Sequence, residues 1–383
     1  MLYFDHCAST PPHEEVIQTL LEVTRTHYAN PASIHQAGAD AEKLIQRAKS
    51  VLAAMLGGRT EEWTMTSGGT ESNNLAIKGI ARQYETRGKH LITTQIEHAS
   101  VYESFRQLER EGFHVTYLPV DGNGQVRLED LRQALTDETT LVSIMHVNNE
   151  MGAVQPLEEI GRLLALRKRT YLHVDAVQSI GKLPIELDKW GVDALTASAH
   201  KLRGPKGVGF LYVREGVQLY PLLSGGGSGP KPGTANVPGI VAAAKAVRLA
   251  VQSADQRRNK MYELREQLLA GLDAIPELRV NGSRSGWPVM APHIINFSYP
   301  GMKPEVMVHM LEENDILAST KSACSSKEDK PSRVLLAMGA DRARASGGIR
   351  VSLGDEHDAV DMDKLSKALQ LVVEKLRPLE RRS

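Results

Sequence analysis

Lys201 is the side chain in this sequence with the clearest capacity for covalent chemistry. It ends the run Ser198-Ala199-His200-Lys201, directly after a predicted strand and before a glycine-containing turn at 204–207. An amine that is partly buried near cationic neighbours stays neutral more easily and can form a Schiff base with an aldehyde. Ser198 and His200 could meanwhile bind a phosphate. A solvated surface lysine is the ordinary alternative, and this motif alone does not exclude it.

An acidic residue that would suit an aldehyde cofactor precedes this lysine by 26 residues. Asp175 and Gln178 belong to the run HVDAVQ at 173–178, which ends another predicted strand. In open α/β sheets the carboxyl ends of the strands face the ligand crevice. A carboxylate there can pair with the protonated nitrogen of a pyridine ring and make the ring a better electron sink, while an amide can donate to a ring oxygen. The alternative is an aspartate that caps the next helix.

A glycine-rich turn supplies a candidate phosphate site. The run TSGGTE at 66–71 lies between a predicted strand and a predicted helix. Glycines allow the backbone to approach a ligand closely, the free N–H groups at a helix start attract phosphate, and Thr70 adds a hydroxyl donor. Taken alone, the motif is more typical of an ordinary turn. The sequence then predicts a helix over 73–86, opened by capping residues at 70–72.

A cysteine and an arginine complete the candidates. Cys324 lies in SACSS (322–326), within a small and polar stretch that predicts an exposed, mobile loop. Lys321 and Lys327 would favour its thiolate form, although a loop thiol can also be there by chance. Arg350 could grip a carboxylate through its planar fork, whereas an arginine in a strand is more often a surface residue.

These motifs require a scaffold that brings strand ends together, and the hydrophobic pattern predicts one. Strands and helices alternate from about residue 60 to 215, which indicates an α/β fold with a largely parallel sheet. A polar loop at 224–233 precedes a helical stretch from about Gly239 to Leu272, and we place a domain boundary near residue 255. The predicted strands are His90–Thr94, Phe113–Leu118, Leu141–His146, Tyr171–Val174, Ala194–Ser198, Gly209–Val213 and His293–Ser298, and further helices are predicted at Leu157–Arg169 and Pro304–Asn314.

Composition bounds the class of protein. The 383 residues exceed the roughly 250–300 at which one core stops growing, so two domains are expected. Lys plus Arg and Asp plus Glu each total 46, so no net charge favours nucleic acid or an anionic membrane. The first residues carry an acid where a signal peptide would be positive, and no apolar run approaches the ~20 residues of a membrane span. Two cysteines, Cys7 and Cys324, are too few for a disulfide framework, so a reducing, cytoplasmic location is expected.

The order of these motifs along the chain is more specific than any one of them. It resembles the order in the cysteine desulfurases, the class-V branch of fold-type-I pyridoxal-phosphate enzymes, and in particular the branch that serves iron–sulfur cluster assembly and tRNA thiolation. The resemblance covers essentially the whole chain. The matching runs are YFDHCASTP (3–11), NPASIH (30–35), TSGGTESNN (66–74), EH (97–98), HVNNEMG (146–152), HVDAVQ (173–178), SAHKLRGPKG (198–207), GGG (225–227), GT (233–234), SACSS (322–326) and IRVSLG (349–354).

The resemblance implies a fold and a role for each matching residue. The fold would be a large domain (15–255) with a mixed, mostly parallel seven-stranded sheet flanked by helices, plus a smaller α+β domain (1–14 and 256–383). Lys201 would bind pyridoxal 5′-phosphate covalently, His98 would stack on its ring and help to shuttle protons, and Cys324 would take the sulfur. The implied ring contacts are Asp175, Gln178 and Asn149, the phosphate contacts are Gly69, Thr70, Ser198 and His200 with Thr234 from a second subunit, and the substrate carboxylate contacts are Arg350 and Asn149.

The implied reaction converts L-cysteine to L-alanine and leaves a persulfide on Cys324. The sulfur would pass to a protein acceptor, either an iron–sulfur scaffold or a tRNA-thiolating enzyme, from a homodimer without a metal, a nucleic acid partner or a membrane contact. The alternatives are a related class-V enzyme, such as a selenocysteine lyase or an aminotransferase, and an inactive sulfur-relay paralogue. An aminotransferase would have no use for Cys324.

Overall fold

Strands and helices alternate along most of the chain, as the sequence predicts. The computed structural model describes residues 1–226, 231–320 and 330–380. The strands are β1 Leu2–Tyr3, β2 Trp63–Thr66, β3 His90–Thr94, β4 His114–Leu118, β5 Thr139–Met145, β6 Tyr171–Asp175, β7 Ala194–Ser198, β8 Gly209–Val213, β9 Arg279–Val280, β10 Ile294–Ser298, β11 Ile316–Leu317 and β12 Gly348–Ser352. The helices are α1 Glu14–Thr26, α2 Gln36–Leu56, α3 Gly69–Gln83, α4 Ala99–Arg110, α5 Leu128–Ala134, α6 Leu157–Leu164, α7 Leu187–Trp190, α8 Val237–Gln252, α9 Ala254–Asp273, α10 Pro304–Glu312, α11 Arg333–Ala337, α12 Arg342–Ser346 and α13 Ala359–Glu380. Within these three ranges, no helix combines the length and the apolar character that crossing a membrane requires.

Seven strands form the central sheet, in the order β2-β8-β7-β6-β5-β3-β4. From β7 to β4 neighbouring strands run parallel, whereas β8 runs antiparallel to both β2 and β7. Every residue of β3, β5 and β7 is buried, as expected for strands that helices cover on both faces. The prediction of a mixed, mostly parallel seven-stranded sheet is therefore confirmed.

Helices cover both faces of this sheet. Leu91 packs in a cluster with α3 and α4 that includes Phe105, while its neighbour Ile92 packs in a second cluster with α2, α6 and α8 that includes Leu52. Adjacent residues of a strand point to opposite faces, so the two clusters lie on opposite sides of the sheet. Burying one such apolar side chain contributes about 1.5–3 kcal/mol.

A second, smaller sheet has its own hydrophobic core. It is three-stranded and antiparallel, in the order β12-β10-β9. The helices α9, α10 and α13 pack in this core through residues such as Leu268, Met307 and Leu369. Phe4, which follows β1, belongs to the same cluster. The two cores fit a larger and a smaller α+β part, while the domain limits at 15–255 and at 1–14 with 256–383 stay a prediction.

The prediction of one long helix at 239–272 is wrong, because the structure contains two helices there. Ser253 separates α8 from α9 in a non-helical conformation (φ −117°, ψ 19°). A helix end leaves its last carbonyl groups without intrahelical partners, and here the guanidinium of Arg257 donates to two of them, those of Leu249 and Ala250. The two helices also serve different cores, since α8 packs under the central sheet and α9 packs on the small one.

His173 is a fully buried polar residue within the central sheet. It lies in β6, and its ring nitrogens lie 2.8 Å from the Ser143 hydroxyl of β5 and 3.1 Å from the Thr196 hydroxyl of β7. Burial lowers the pKa of His173 to about 3. The unfolded chain would take up a proton on this ring near its ordinary pKa of about 6.5, so acid favours the unfolded state.

We expect the thermal stability to fall as the pH is lowered from about 6.5 to about 5, and His173→Gln to flatten this fall. At pH 5 the ring is protonated in the unfolded chain but still neutral in the folded protein. This difference lowers the free energy of unfolding by about 2 kcal/mol. The measurement is the Tm as a function of pH. His309→Gln, on the exposed side of α10, is the control and should leave the slope unchanged. A His173→Gln protein with the parental slope would contradict this account.

Candidate active site

One cavity lies at the carboxyl ends of the parallel strands and collects nearly all of the predicted site residues. Its walls come from the turns after β6 and β7, the start of α3, the start of α4 and the strand β12. The predicted residues that line it are Gly69, Thr70, His98, Asn149, Asp175, Gln178, Ser198, His200, Lys201 and Arg350. The cavity also has lining residues that the sequence analysis did not single out, namely Ala8, Asn73, Ser100, Met145, Val147 and Val177, together with Cys7.

Lys201 reaches the cavity from a single 3₁₀ turn, Ala199–Lys201, which follows β7. Its ammonium group donates to the carbonyl oxygens of Cys7 and of Ala8, the latter at 2.7 Å. The side chain is half-buried, so the surface lysine considered as an alternative does not describe it. The N-terminal segment thus supplies the acceptors that hold this amine in the cavity.

Asp175 ends β6 and is buried with both carboxylate oxygens engaged. Oδ2 accepts from the side-chain amide of Asn73 at 2.7 Å, and Oδ1 accepts from the backbone N–H of Val177 at 3.0 Å. The same amide of Asn73 lies 2.9 Å from the Ser100 hydroxyl. Its carbonyl oxygen is buried and finds no hydrogen-bond partner among the described residues. These contacts fix the direction of the carboxylate toward the cavity wall.

His98 is the N-cap residue of α4 and lines the cavity. Its Nδ1 accepts from the backbone N–H of Ser100 at 3.2 Å and lies 2.8 Å from the Ser100 hydroxyl. Burial lowers the pKa of His98, so the ring is neutral near pH 7. Because Nδ1 is an acceptor, the proton of the neutral ring is assigned to Nε2. The site therefore contains an imidazole with a defined tautomer.

The helix α3 begins at Gly69, four residues before the predicted start at residue 73. The predicted capping residues lie inside its first turn, and no described side chain caps it. A Cβ atom at Gly69 would lie 3.0 Å from Val177 and 3.6 Å from Ser198, so this close approach favours glycine. The uncapped N–H groups of the first turn, with Thr70, are suited to a phosphate.

Ser198 and His200 lie on the other side of that helix start. Ser198 is buried at the end of β7. Burial lowers the pKa of His200 to about 4, so its ring is neutral near pH 7, and Nδ1 lies 3.4 Å from the Ser9 hydroxyl. Helix N–H groups, the Ser198 hydroxyl and the neutral His200 ring border the proposed phosphate position. Lys231 donates to Glu71, in the first turn of the same helix, at 3.0 Å.

Arg350 is not a surface residue but one of the most buried side chains of the protein. It lies in β12 with 1% of its side chain exposed. Nη2 donates to Oδ1 of Asp5 at 2.7 Å, and Nη1 donates to the carbonyl oxygen of Asn149 at 3.0 Å. Nε is buried and has no hydrogen-bond partner among the described residues. A guanidinium with a spare buried donor can accept a carboxylate as its further partner.

Two predicted residues are not brought into this group. Thr234 is exposed and lies outside the cavity of its own chain. Cys324 lies outside the described residues. The other cysteine, Cys7, is a buried free thiol, and burial raises its pKa despite the nearby charges of Arg350 and Lys201. Cys7 is therefore a protonated and unreactive thiol near neutral pH.

His6, Glu356 and His357 form a group, the only one in the described ranges, whose ligand atoms are close enough to hold a metal ion. Nδ1 of His357 already accepts the backbone N–H of Gly354 at 2.8 Å. The neutral ring then carries its proton on Nε2 and offers no free lone pair to a metal. Burial raises the pKa of Glu356, but the contact with Nε2 of His6, 2.9 Å from the carboxylate, outweighs burial, and the pKa is lowered to about 2. We interpret the group as a contact between the N-terminal segment and the turn after β12.

The cavity fits a pyridine cofactor that carries an aldehyde and a phosphate. An amine, a fixed carboxylate and an uncapped helix start surround it, and Gly69 lets this helix start lie close to Val177 and Ser198. The sequence analysis missed the residues that hold these groups, chiefly Asn73 and Asp5. Asn73 was open to discovery, because it lies four residues after Gly69 and thus on the same face of α3. No comparable signal marks Asp5.

Comparisons with known proteins agree with this geometry. The sequence model of the family Aminotransferase class-V matches residues 2–365. The cysteine desulfurase IscS of Dictyoglomus turgidum is 40% identical over 381 residues, which cover 99% of this chain and 96% of that protein. The cysteine desulfurase IscS of Methanosarcina thermophila is 41% identical over 378 residues, covering 98% and 93% of the two chains.

Solved structures give the same result. A NifS-like protein superposes with a TM-score of 0.90 at 38% identity and covers 98% of this chain and 99% of its own. A structure described as SspA in complex with cysteine superposes with a TM-score of 0.79 at 35% identity, covering 92% and 99%. The chain therefore belongs to the class-V aminotransferase family and is a cysteine desulfurase that depends on pyridoxal 5′-phosphate.

Proposed function

We propose that this enzyme takes sulfur from L-cysteine, leaves L-alanine and forms a persulfide on Cys324, from which a protein acceptor receives the sulfur. The observation that carries the proposal is the convergence of an amine, a carboxylate, an imidazole and a guanidinium on one cavity, from Lys201, Asp175, His98 and Arg350.

In this proposal Asp175 and the start of α3 hold the two ends of the cofactor. Pyridoxal 5′-phosphate, when bound, withdraws electrons from the α-carbon of the substrate. The carboxylate of Asp175 keeps a proton on the ring nitrogen, since Asn73 and the Val177 N–H fix both of its oxygens. Gln178 and Asn149 border the ring. The phosphate contacts are Gly69, Thr70, Ser198 and His200.

Proton movement falls to Lys201 and His98. The amine of Lys201 is the base that removes the α-proton, and the carbonyl groups at residues 7 and 8 keep it within the cavity when it is not so engaged. His98 lines the cavity where the ring would lie and would present its Nε2–H as a proton source, since Nδ1 accepts from Ser100.

In this proposal Cys324 takes the sulfur from the substrate. Arg350 and Asn149 bind the substrate carboxylate. The Cys324 thiolate attacks the substrate sulfur, so that an S–S bond forms and the C–S bond breaks. The electron pair of the broken bond stays with carbon, which is then protonated to give alanine. Chain geometry supports this assignment. Ser319 exchanges two backbone hydrogen bonds with Arg350, and Cys324 follows it by five residues, a reach of at most about 18 Å.

A homodimer is part of the proposal. Thr234 is exposed and outside the cavity of its own chain, so the phosphate contact proposed for it would be made in another subunit. Large apolar side chains are also exposed, among them Tyr28 at 87% and Ile34 at 106%. Contact with a second copy would remove such surfaces from water.

The chemistry of the persulfide limits the kind of acceptor and the compartment that we propose. An iron–sulfur scaffold and a tRNA-thiolating enzyme are both suitable acceptors, and transfer of isotope-labelled sulfur from the loaded enzyme to each candidate distinguishes them. We propose a cytoplasmic location because the Cys324 thiol must stay reduced between turnovers.

We also propose that residues 15–255 form the cofactor domain and that 1–14 with 256–383 form the domain carrying Cys324.

Lys201→Ala is expected to abolish turnover, by at least about 100-fold, because both the covalent attachment and the base are lost. The measurement is alanine and sulfide formation from cysteine, together with the visible absorption of the bound cofactor. The matched control is Lys206→Ala, which removes an exposed lysine from the next turn of the same connection to β8. Normal turnover by the Lys201 variant would show that the cofactor is attached to a different lysine.

Cys324→Ala is expected to keep the cofactor bound and responsive to cysteine but to stop sulfide release. The reason is that α-proton removal needs Lys201, whereas sulfur removal needs the thiol. Absorption changes on addition of cysteine and mass spectrometry of the persulfide separate the two steps. Ser326→Ala, a neighbouring change, should behave as the parent does, and unchanged sulfide output from the Cys324 variant would refute the nucleophile assignment.

Thr234→Asp should impair the enzyme by placing a carboxylate near the phosphate of the partner's site. Mixed dimers of this variant with Lys201→Ala should regain activity. In such a dimer, one site combines an intact Lys201 with an intact Thr234 from the other chain and should give about half the parental activity of a dimer with two sites. The measurement is cysteine turnover after subunit exchange. No gain on mixing would show that each chain completes its own site.

A further inference from the structure

The contact between Asp5 and Arg350 has a role in substrate binding that differs from that of Arg350 itself. Oδ1 of Asp5 accepts from Nη2 of Arg350 at 2.7 Å. The arginine side chain is 1% exposed and the aspartate side chain 21%. A buried cation without a partner is strongly destabilising, so in the absence of substrate Asp5 supplies the charge that Arg350 needs.

Backbone contacts on both sides hold Asp5 in place. The Phe4 N–H donates to the Leu317 carbonyl of β11 at 2.8 Å, and the Ser352 N–H donates to the Phe4 carbonyl at 2.8 Å. The Cys7 N–H donates to the Ser352 hydroxyl at 2.9 Å. The position of Asp5 relative to β12, and therefore to Arg350, is set by the backbone rather than by the side chains alone.

Arg350 keeps donors in reserve beside this ion pair. Its guanidinium has five N–H groups, of which one contacts Asp5 and another contacts the carbonyl oxygen of Asn149. Nε is buried without a hydrogen-bond partner among the described residues. A substrate carboxylate that takes this spare donor joins a cation that already has a counter-ion, so it shares the charge with Asp5.

We propose that Asp5 is a positioning residue that sets the affinity of the enzyme for carboxylates by acting as the resident counter-ion of Arg350. The proposal rests on the proposed role of Arg350 in binding the substrate carboxylate. Without Asp5, the guanidinium would attract any small carboxylate more strongly. Cysteine would then bind more tightly, and alanine, which carries the same carboxylate, would leave more slowly.

The test is the steady-state kinetics of Asp5→Asn in the cofactor-loaded enzyme. We expect KM for L-cysteine to fall by roughly threefold or more, kcat to fall on the order of tenfold, and alanine to inhibit more strongly, as for loss of a competing ground-state contact. Asp5→Glu should restore part of kcat. Asp137→Asn is the matched control, because it removes an exposed aspartate from a surface ion pair with Arg167 and should change none of these values.

Several outcomes would overturn the proposal. A lower Tm with unchanged KM and unchanged alanine inhibition would make Asp5 merely structural, and a raised KM would exclude competition for Arg350. If Asp5→Asn fails to load cofactor, the double variant Asp5→Asn, Arg350→Gln decides. Its recovery supports the counter-ion role, because no unpaired charge remains, and its failure rejects that role. Arg350→Gln alone tests the underlying assignment: an unchanged KM for cysteine there would remove Arg350 from substrate binding, whatever Asp5 does.

Discussion

Two cations must be held at the wall of a buried cavity, and an unpaired charge in such a place is costly. Residues 5–8 meet this constraint. The Asp5 carboxylate pairs with Arg350, and the carbonyl oxygens of Cys7 and Ala8 accept from Lys201. The two cations belong to different sheets, since Lys201 follows β7 and Arg350 lies in β12. The spacing between the amine and the guanidinium therefore depends on a short segment that is bridged to β12 through Asp5 and Ser352 and whose carbonyl groups contact Lys201. The contact of His6 with Glu356 attaches the same segment to the turn after β12.

The parallel sheet fixes the relative positions of Asp175 and Ser198. The register pairs Asp175 of β6 with Thr196 of β7, so Ser198 extends two residues beyond the carboxylate at the same edge. The start of α3 then packs directly on this edge, where Gly69 approaches Val177 and Ser198. One strand end thus presents the buried carboxylate of Asp175, and the next presents the buried hydroxyl of Ser198. The distance between the two groups is fixed by the backbone.

Local patterns in the sequence were sufficient for most of the fold. The predicted strands at 90–94, 194–198 and 209–213 match the observed ones at both ends, because apolar runs bounded by turn residues are a local signal. The helix predicted at Leu157–Arg169 ends five residues early, at Leu164. Tertiary contacts decided two other failures. The break at Ser253 depends on Arg257 and on two separate cores, and the start of α3 depends on close packing at Gly69 rather than on a capping side chain.

The candidate site was predictable to the extent that residue type and order along the chain carry it. Lysine, aspartate and arginine at strand positions were recognisable, and they do line one cavity. The contacts that orient them were not predictable, because each contact joins distant parts of the chain. Asn73 is separated by 102 positions from Asp175, and Asp5 by 345 positions from Arg350. Asn73 shares a helix face with Gly69, but nothing local identifies Asp175 as its partner, and an aspartate near the N-terminus has no local feature that reveals Arg350 as its partner.

The same wall gives a physical reason to propose Cys324, rather than Cys7, as the sulfur carrier. Cys7 lines the cavity beside two cations, and their charges alone would lower its pKa, yet burial outweighs them and raises it. A thiol fixed in this wall is therefore protonated, and the backbone contacts that hold Lys201 and Arg350 also prevent it from carrying sulfur outward. A sulfur carrier has to combine a thiolate with access both to the cavity and to an acceptor. Cys324, in a small and polar stretch flanked by Lys321 and Lys327 and connected to Arg350 through Ser319, has the composition and the tether that this task requires.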